Sequence, residues 1–453
     1  ESNNTIIDGN GLSSVIYINT QTIDIDSTTL ISGFTLTNGG NAYYGGGLTI
    51  IGGSPTVSYM KISNNSGNTG GGIYLFESSS TFIDIKIDSN NSTTSGGGVN
   101  SYLSNPVMQN VTIKDNSAIE NGGGMYTHTS TPILSNVIIS NNTAHDGGGM
   151  YMDFYSDVNP YKVNVINNSA SHDGGGWHIR YSSGVTLTDL NIIDNSAGHN
   201  GGGVYVYGCH PQLQELNILN NYAANFGSGV NTNAGLPSIS YSNIARNGSG
   251  VYSEDHYLDA INNYWGDISG PYHPAENQLG QGDSVNVRFS VIPWLTTPNN
   301  DAPPLPAHNV MVAGSGNDFV NIEWNQSPLG DFAGYKLYYD TDESGYPYYN
   351  SIDIGINTSH TLSELEPGTE YFIAVSVYDT DGNESWYSDE VIGITREMEV
   401  QNLDIAGDEA LFHLITHDPL VTFDYFDSMG EAQSNYHLQI STDSAFQTNI
   451  IWD

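Results

Sequence analysis

Glycine triplets recur along the N-terminal part of the chain at a nearly fixed interval, and any fold must satisfy that spacing. They begin at Gly45, Gly70, Gly96, Gly122, Gly147, Gly174 and Gly201, and Gly-Ser-Gly versions follow at Gly227 and Gly248. The intervals from Gly45 to Gly227 are 25, 26, 26, 25, 27, 27 and 26 residues. Ahead of the triplets stand Asn65, Asn90, Asn116, Asn142, Asn168, Asn195, Asn221 and Asn247, with Asn38 placed to begin the series. Three residues before each asparagine from Asn65 onward sits Ile62, Ile87, Ile113, Ile139, Val165, Ile192, Ile218 or Ile244. Eight matches in one register mark an internal repeat.

Each unit reads as strand, asparagine turn, polar loop, glycine triplet, second strand, then a Ser/Pro turn and a further strand. Segments such as Ile73-Tyr74-Leu75-Phe76 and Met150-Tyr151-Met152-Asp153 alternate at period two, which sends successive side chains to opposite faces. A short unit of strands cannot bury its own apolar face, so copies must stack. Stacking places like residues above one another at ~4.8 Å, which makes the isoleucines an internal row and the asparagines a hydrogen-bonded turn row. The glycines suit places that need positive φ or close backbone approach. A leucine-rich repeat fits the period, but its leucine spacing and helical half are missing. The expected fold is all-β: a parallel β-helix of about ten coils over residues 1–297.

Ile-x-x-Asn followed by Gly-Gly-Gly-[Ile/Val/Met] resembles the right-handed parallel β-helix repeats of bacterial surface proteins. It is also similar to the repeats of chlamydial polymorphic outer-membrane proteins, with Gly in place of Ala and Ile in place of Phe. Asn262-Asn263-Tyr264-Trp265-Gly266-Asp267-Ile268-Ser269-Gly270-Pro271 resembles the closure of that family, continued by Gly280-Gln281-Gly282-Asp283 and Ile292-Pro293-Trp294-Leu295. The resemblance implies fold rather than activity, because such repeats serve adhesins, passenger domains and polysaccharide enzymes alike.

A Pro-rich stretch from Pro298 to Pro306 marks a linker, placed at 298–304. Beyond it, Val320-Asn321-Ile322-Glu323-Trp324, Gly334-Tyr335-Lys336-Leu337-Tyr338-Tyr339 and Ile373-Ala374-Val375-Ser376-Val377 alternate as strands. With a core Trp on an early strand and a Tyr-corner segment at Leu365–Tyr371, residues 305–397 resemble a fibronectin type III domain. Residues 398–453 look like the opening of a second β-sandwich. Residue 1 is Glu and no signal peptide is visible, so the chain is expected to be a piece of a longer polypeptide.

Charge narrows the function. Nine Lys and Arg face 49 Asp and Glu, a formal charge of −40. Such a chain repels phosphate backbones and anionic lipid, so nucleic acid is not an expected partner. No apolar run is long enough for membrane insertion. A single cysteine, Cys209, excludes intrachain disulfides and Cys-based zinc clusters. Residues 1–297 hold 22 acids and 7 bases, and 298–453 hold 27 and 2, so the sandwich modules are the more acidic.

Register lets outward rows be read directly. Two residues past each triplet lie Thr49, Tyr74, Asn100, Tyr126, Tyr151, His178, Tyr205 and Asn231. Two further on lie Ile51, Phe76, Tyr102, His128, Asp153, Arg180, Tyr207 and Asn233. These rows predict an aromatic face, with Tyr74, Phe76, Tyr102, Tyr126, Tyr151, Tyr205 and Tyr207 as candidate glycan contacts and Arg180 placed to fork a uronate carboxylate. At its middle, His128 or His178 is a candidate general base oriented by Asp153, with Arg180 beside them, in a lyase or hydrolase reading. Plain cross-strand stacking is the bland alternative, and the seven bases of residues 1–297 are few for an anionic substrate. No close pair of aspartates marks a pectin-type hydrolase.

A second stack, His145, His172 and His199, offers candidate metal ligands on successive coils, against which stands an exposed polar turn row. Asp379–Glu384 superficially resembles a calcium loop but lacks its twelfth-position ligand, and Asp381-Gly382 is better read as a turn between strands. No cofactor is implied; calcium stays a candidate ion on so acidic a chain, with no localised site. The expectation is an extracellular protein of a bacterial cell surface whose β-helix is a rigid stalk or adhesive surface. Its expected partner is a glycan or a cell-surface protein, with another copy of itself as a further candidate. A polysaccharide lyase or hydrolase is the competing expectation.

Overall fold

The computed structural model describes residues 5–20, 25–40, 42–182, 184–327, 331–341 and 348–396. Beyond them it describes the strands Glu399–Ile405, Val421–Phe426, Ile440–Ser441 and Ile450–Trp452. Among these residues there is no helix. The chain divides into two units, the first essentially Glu1–Leu305 and the second holding most of the C-terminal remainder.

The first unit is a parallel β-solenoid of about nine turns. One sheet runs from Ile6–Asp8 through eight-residue strands such as Thr56–Ser63 and Ile133–Ser140 to Asn243–Ala245, and a second runs from Ile16–Asn19 through Ile73–Phe76 and Trp177–Arg180 to Ser249–Ser253 and beyond. A third consists of two-residue strands from Ser66–Gly67 to Tyr222–Ala223. Neighbouring coils pair in parallel and in the register the repeat predicts, for example Ile113↔Ile139 and Val99↔Met125. Ile62, Ile87, Ile113, Ile139, Val165, Ile192, Ile218 and Ile244 are all fully buried and form one interior row.

The asparagine row is the solenoid's buried polar seam. Each Nδ2 from Asn65 to Asn221 donates to Oδ1 of the next asparagine at 3.0–3.1 Å, and the matching backbone N–H donates to the same oxygen. Every buried donor and acceptor is thereby matched, which keeps a polar ladder tolerable inside a β-sheet protein. Asn38 does not begin the row. It is exposed at φ 55°, and Gly39 donates its backbone N–H to Asn65 Oδ1 at 2.8 Å. At the other end the ladder closes on a carboxylate: Asp283 accepts from Asn247 N–H at 2.9 Å, from Asn247 Nδ2 at 2.8 Å and from Gly248 N–H at 3.0 Å. A carboxylate only accepts, so it ends the series without stranding an NH2 group. Burial pushes the Asp283 carboxyl up against those hydrogen bonds.

The triplet glycines have separate reasons. From Gly70 onward the first, such as Gly147 at φ 64°, needs the left-handed region. The second meets the next coil: a Cβ on Gly148 would lie 2.5 Å from backbone C and O of Ser169. The third does likewise, since a Cβ on Gly149 would lie 2.6 Å from the Gly176 carbonyl oxygen.

The second unit is a β-sandwich. His308–Ser315, Val320–Asn325 and Ser359–Leu362 form one antiparallel sheet, and Asn350–Gly355, Phe332–Asp340, Glu370–Asp379 and Val391–Ile394 are joined in the other. Trp324 packs edge-on against fully buried Tyr335 at 5.3 Å, and the Tyr371 hydroxyl accepts the Glu366 N–H at 2.9 Å, as a Tyr corner requires. Asp381-Gly382 lies in a turn closed by the Asp379 carboxylate, which accepts from the N–H groups of Asp381 and Asn383. The expected partial sandwich at 398–453 falls largely outside the described residues. Within it, Glu399–Ile405 pairs antiparallel with Val421–Phe426.

Candidate functional site

The second solenoid sheet carries the candidate residues, and its register is the one expected: Tyr126↔Tyr151↔His178↔Tyr205 and Tyr102↔His128↔Asp153↔Arg180↔Tyr207. The two rows differ in access to solvent. Tyr74, Tyr151, His178 and Tyr205 are buried, as are Thr49, Asn100 and Asn231, and Tyr126 is half-buried. An open groove lined by this row is therefore corrected. Each member is tucked beneath its own triplet turn: a Cβ on Gly174 would lie 2.8 Å from His178 Cβ, and one on Gly201 2.8 Å from Tyr205 Cβ.

His178 shows the consequence. Its ring lies 4.4 Å from that of Tyr151 and 4.8 Å from that of Tyr205, and burial pushes its pKa down to about 4. A neutral, covered imidazole has no path to a substrate, so His178 leaves the set of candidate bases. Burial also raises the Tyr74 and Tyr151 hydroxyls to about 12, and raises Tyr126 and Tyr205 further, so these phenols stay neutral.

The outer row does gather at its middle. Asp153 lies between His128, 3.7 Å from Nδ1, and Arg180, 4.0 Å from Nε, and accepts the Tyr126 hydroxyl at 3.3 Å. Arg180 also donates to the Tyr151 hydroxyl at 3.3 Å. Asp153 is buried beneath this group, whereas His128 and Arg180 are half-buried and reach the surface.

Around them runs a feature the row assignment missed. Phe76, Tyr102, His128, Phe154, Tyr181 and Tyr207 stack in one unbroken series, with centroid separations of 5.8, 4.7, 5.4, 5.3 and 5.4 Å. Phe154 and Tyr181 sit one residue beyond their strands, at φ 37° and 48°, where the chain turns the corner. The Gly122–Gly147 interval is one residue short, so counting from triplets leads to Asp153 and Arg180. Counting from ring to ring (26 residues from His128 to Phe154, then 27 to Tyr181) would have found both. The Arg180 guanidinium lies 5.0 Å from the Tyr181 ring centroid and 5.8 Å from that of Phe154, within cation–π range. Beside them is a hollow of about 330 Å3 lined by Phe154, Tyr155, Tyr181, Gly208, Cys209 and His210. Gly208 makes room for it: a Cβ there would lie 2.7 Å from Tyr181 Cε1. Cys209 is buried and its thiol is pushed up by burial.

The histidine stack also forms. His145 and His172 lie 5.0 Å apart and His172 and His199 4.8 Å apart, locked by His172 N–H to the His145 carbonyl and His199 N–H to the His172 carbonyl, both 2.9 Å. Asp146 and Asp173 sit between the rings, each contacting the Nδ1 atoms of two of them. Burial raises the Asp146 carboxyl, but the Asp173 N–H and the neighbouring imidazoles outweigh it, and the net position is low.

Residues 302–393 match the family model of the fibronectin type III domain. The chain is 32% identical over 101 residues to phosphatidylinositol phosphatase PTPRQ of Rattus norvegicus, a stretch that is 22% of this chain and 4% of that protein. It is 30% identical over 126 residues to the Homo sapiens protein of the same name, 27% of this chain and 5% of that one. The chain thus spans a very small part of these relatives' length. Among solved structures it is similar to the FN1–FN3 domains of chicken CNTN1, at 22% identity and a TM-score of 0.20, covering 21% of this chain and 33% of that one. It is also similar to the FN5 domain of Drosophila Lar, at 19% identity and a TM-score of 0.18, covering 20% and 97%. The chain is an all-β assembly of a parallel β-solenoid and a fibronectin type III domain. That combination fits a structural or adhesive extracellular role.

Proposed function

We propose that this is an adhesive protein of a bacterial cell surface, in which the solenoid is a rigid stalk that holds a glycan along the Phe76–Tyr207 ring ladder. The ladder carries the reading. Exposed rings give flat amphipathic area at low entropic cost, and a sugar's apolar face stacks on such area while its hydroxyls meet polar neighbours. His128 and Arg180 supply those polar groups, and Arg180 can fork a uronate carboxylate. The hollow beside Tyr181 is large enough for one sugar ring.

The test is binding of the purified chain to a panel of neutral and uronic-acid polysaccharides, with products assayed in parallel. Binding that falls about tenfold in Tyr181→Ala, without turnover, supports the reading; a ring contact worth about 1.4 kcal/mol corresponds to that factor. Binding unchanged in Tyr181→Ala refutes the ladder. Turnover abolished by His128→Ala or Arg180→Ala replaces adhesion with a lyase or hydrolase, and sedimentation of the chain as filaments without glycan binding replaces it with self-assembly.

A further inference from the structure

We infer that the His145–Asp146–His172–Asp173–His199 ladder binds a divalent transition-metal cation of the Zn2+ class. It contains two overlapping ligand sets, His145/Asp146/His172 and His172/Asp173/His199, with His172 common to both. Within each set one ligand atom from every residue lies within 4.8 Å of the others. A tetrahedral zinc ion with bonds of about 2.0–2.2 Å sets its ligands ~3.3–3.6 Å apart. The Asp–His contacts already lie near that separation, and the remaining ångström or so between the outermost ligand atoms is closed by imidazole rotation, which the 54%, 45% and 45% exposure of the His145, His172 and His199 side chains leaves free.

Stacked imidazoles alone point in parallel and cannot surround an ion. The carboxylates change this. Asp146 Oδ2 is 3.0 Å from His145 Nδ1 and Asp146 Oδ1 is 2.9 Å from His172 Nδ1, so one aspartate faces two rings at once. Asp173 repeats the arrangement, with Oδ2 3.3 Å from His172 Nδ1 and Oδ1 2.9 Å from His199 Nδ1. Each set therefore offers two imidazoles and an off-axis carboxylate, and water can complete the coordination. The aspartates are held in place: Asp146 Oδ1 accepts the Asp173 N–H and Asp173 Oδ1 accepts the Asn200 N–H, both at 2.9 Å. Such anchored ligands are the outer support that metal sites use.

Imidazole and carboxylate donors favour Zn2+ over Ca2+ or Mg2+, which take oxygen ligands. Asp146 and Asp173 carry a formal charge of −2, which one divalent cation offsets. A bound ion would also tie adjacent coils together.

The experiment is isothermal titration of Zn2+ into the full chain after chelator treatment, with Ca2+ as comparison. Saturable Zn2+ binding is expected, weakened at least about tenfold in His172→Ala, less in His145→Ala or His199→Ala alone, and absent in Ca2+ titrations. The double variant His145→Ala/His199→Ala, which leaves each set one imidazole, should lose the site as well, so the test survives a misfolded His172→Ala. Bound Co2+ should give a visible absorption band that His172→Ala abolishes. No saturable Zn2+ binding, or equal affinity in wild type and the double variant, overturns the inference.

Discussion

Replacing Asn142 by alanine removes one rung from the middle of the buried asparagine ladder. Its Nδ2 donates to Asn168 Oδ1 at 3.0 Å and to the Ile113 carbonyl at 2.9 Å. Its Oδ1 accepts from Asn116 N–H at 2.9 Å and from Asn116 Nδ2 at 3.0 Å. Truncation strands the Asn116 backbone N–H in a site sealed from water, while Asn116 Nδ2 keeps the Ile87 carbonyl. The stranded buried donor costs about 1–3 kcal/mol and each of the other three lost hydrogen bonds about 1 kcal/mol, for a total of roughly 4–6 kcal/mol. With a urea slope of about 3 kcal/mol per molar for a unit of this size, the solenoid's midpoint should fall by about 1.3–2 M. The control is Asn136→Ala on the exposed row, where Asn136 Nδ2 reaches Asn110 Oδ1 at 2.9 Å. Water replaces that bond, and what remains is the cost of alanine at φ 53°, which asparagine tolerates better, so the expected loss is about 1 kcal/mol, well below that of Asn142→Ala. Equal midpoint shifts in the two variants would refute the claim that the ladder's value comes from burial.

Gly148→Ala drives a Cβ into the backbone of the next coil and should abolish cooperative solenoid unfolding in circular dichroism melts. Gly382→Ala, at φ 83° in open space, should cost only about 1–2 kcal/mol. His178 gives a pH signature. Its folded value of about 4 lies below the ordinary 6.5, so the unfolded chain takes up a proton that the folded chain refuses. Stability should fall by about 3 kcal/mol as pH drops from about 6.5 to 4 and level off below, and His178→Phe should remove that part of the slope in urea midpoints. Tyr371→Phe, which leaves the Glu366 N–H without its acceptor, should lower the sandwich's unfolding midpoint by an amount equivalent to about 1–2 kcal/mol.

Much of this architecture could be read from spacing, because a β-solenoid turns sequence period directly into spatial stacking. The isoleucine row, the asparagine ladder from Asn65 onward, the strand register through His128, Asp153 and Arg180, and the histidine stack all follow from it. What spacing does not carry is cover. Period-two alternation says which face of a sheet a side chain takes, and Tyr151, His178 and Tyr205 do leave the isoleucine core. The triplet turn that folds over them is a tertiary fact, and it removes His178 from any solvent-facing chemistry. Register counted from glycines also hid Phe154 and Tyr181, since the corner absorbs the short interval and the rings keep their own period. The Asp146 and Asp173 carboxylates stood beside the histidines in sequence, but their place between the rings depends on backbone hydrogen bonds that local pattern does not encode.

The vertical stacking of equivalent residues is tested most directly by distances between spin labels on the exposed positive-φ row that includes Tyr59, Asn136 and Tyr241. Buried Cys209, with its raised thiol pKa, should stay unlabelled. Tyr59 and Asn136 are three coils apart and Tyr59 and Tyr241 seven, so at ~4.8 Å per coil the label pairs should lie about 14 Å and 34 Å apart. Distances that do not grow in proportion to the number of coils would contradict the stacking, and the ring ladder and the histidine site would fall with it.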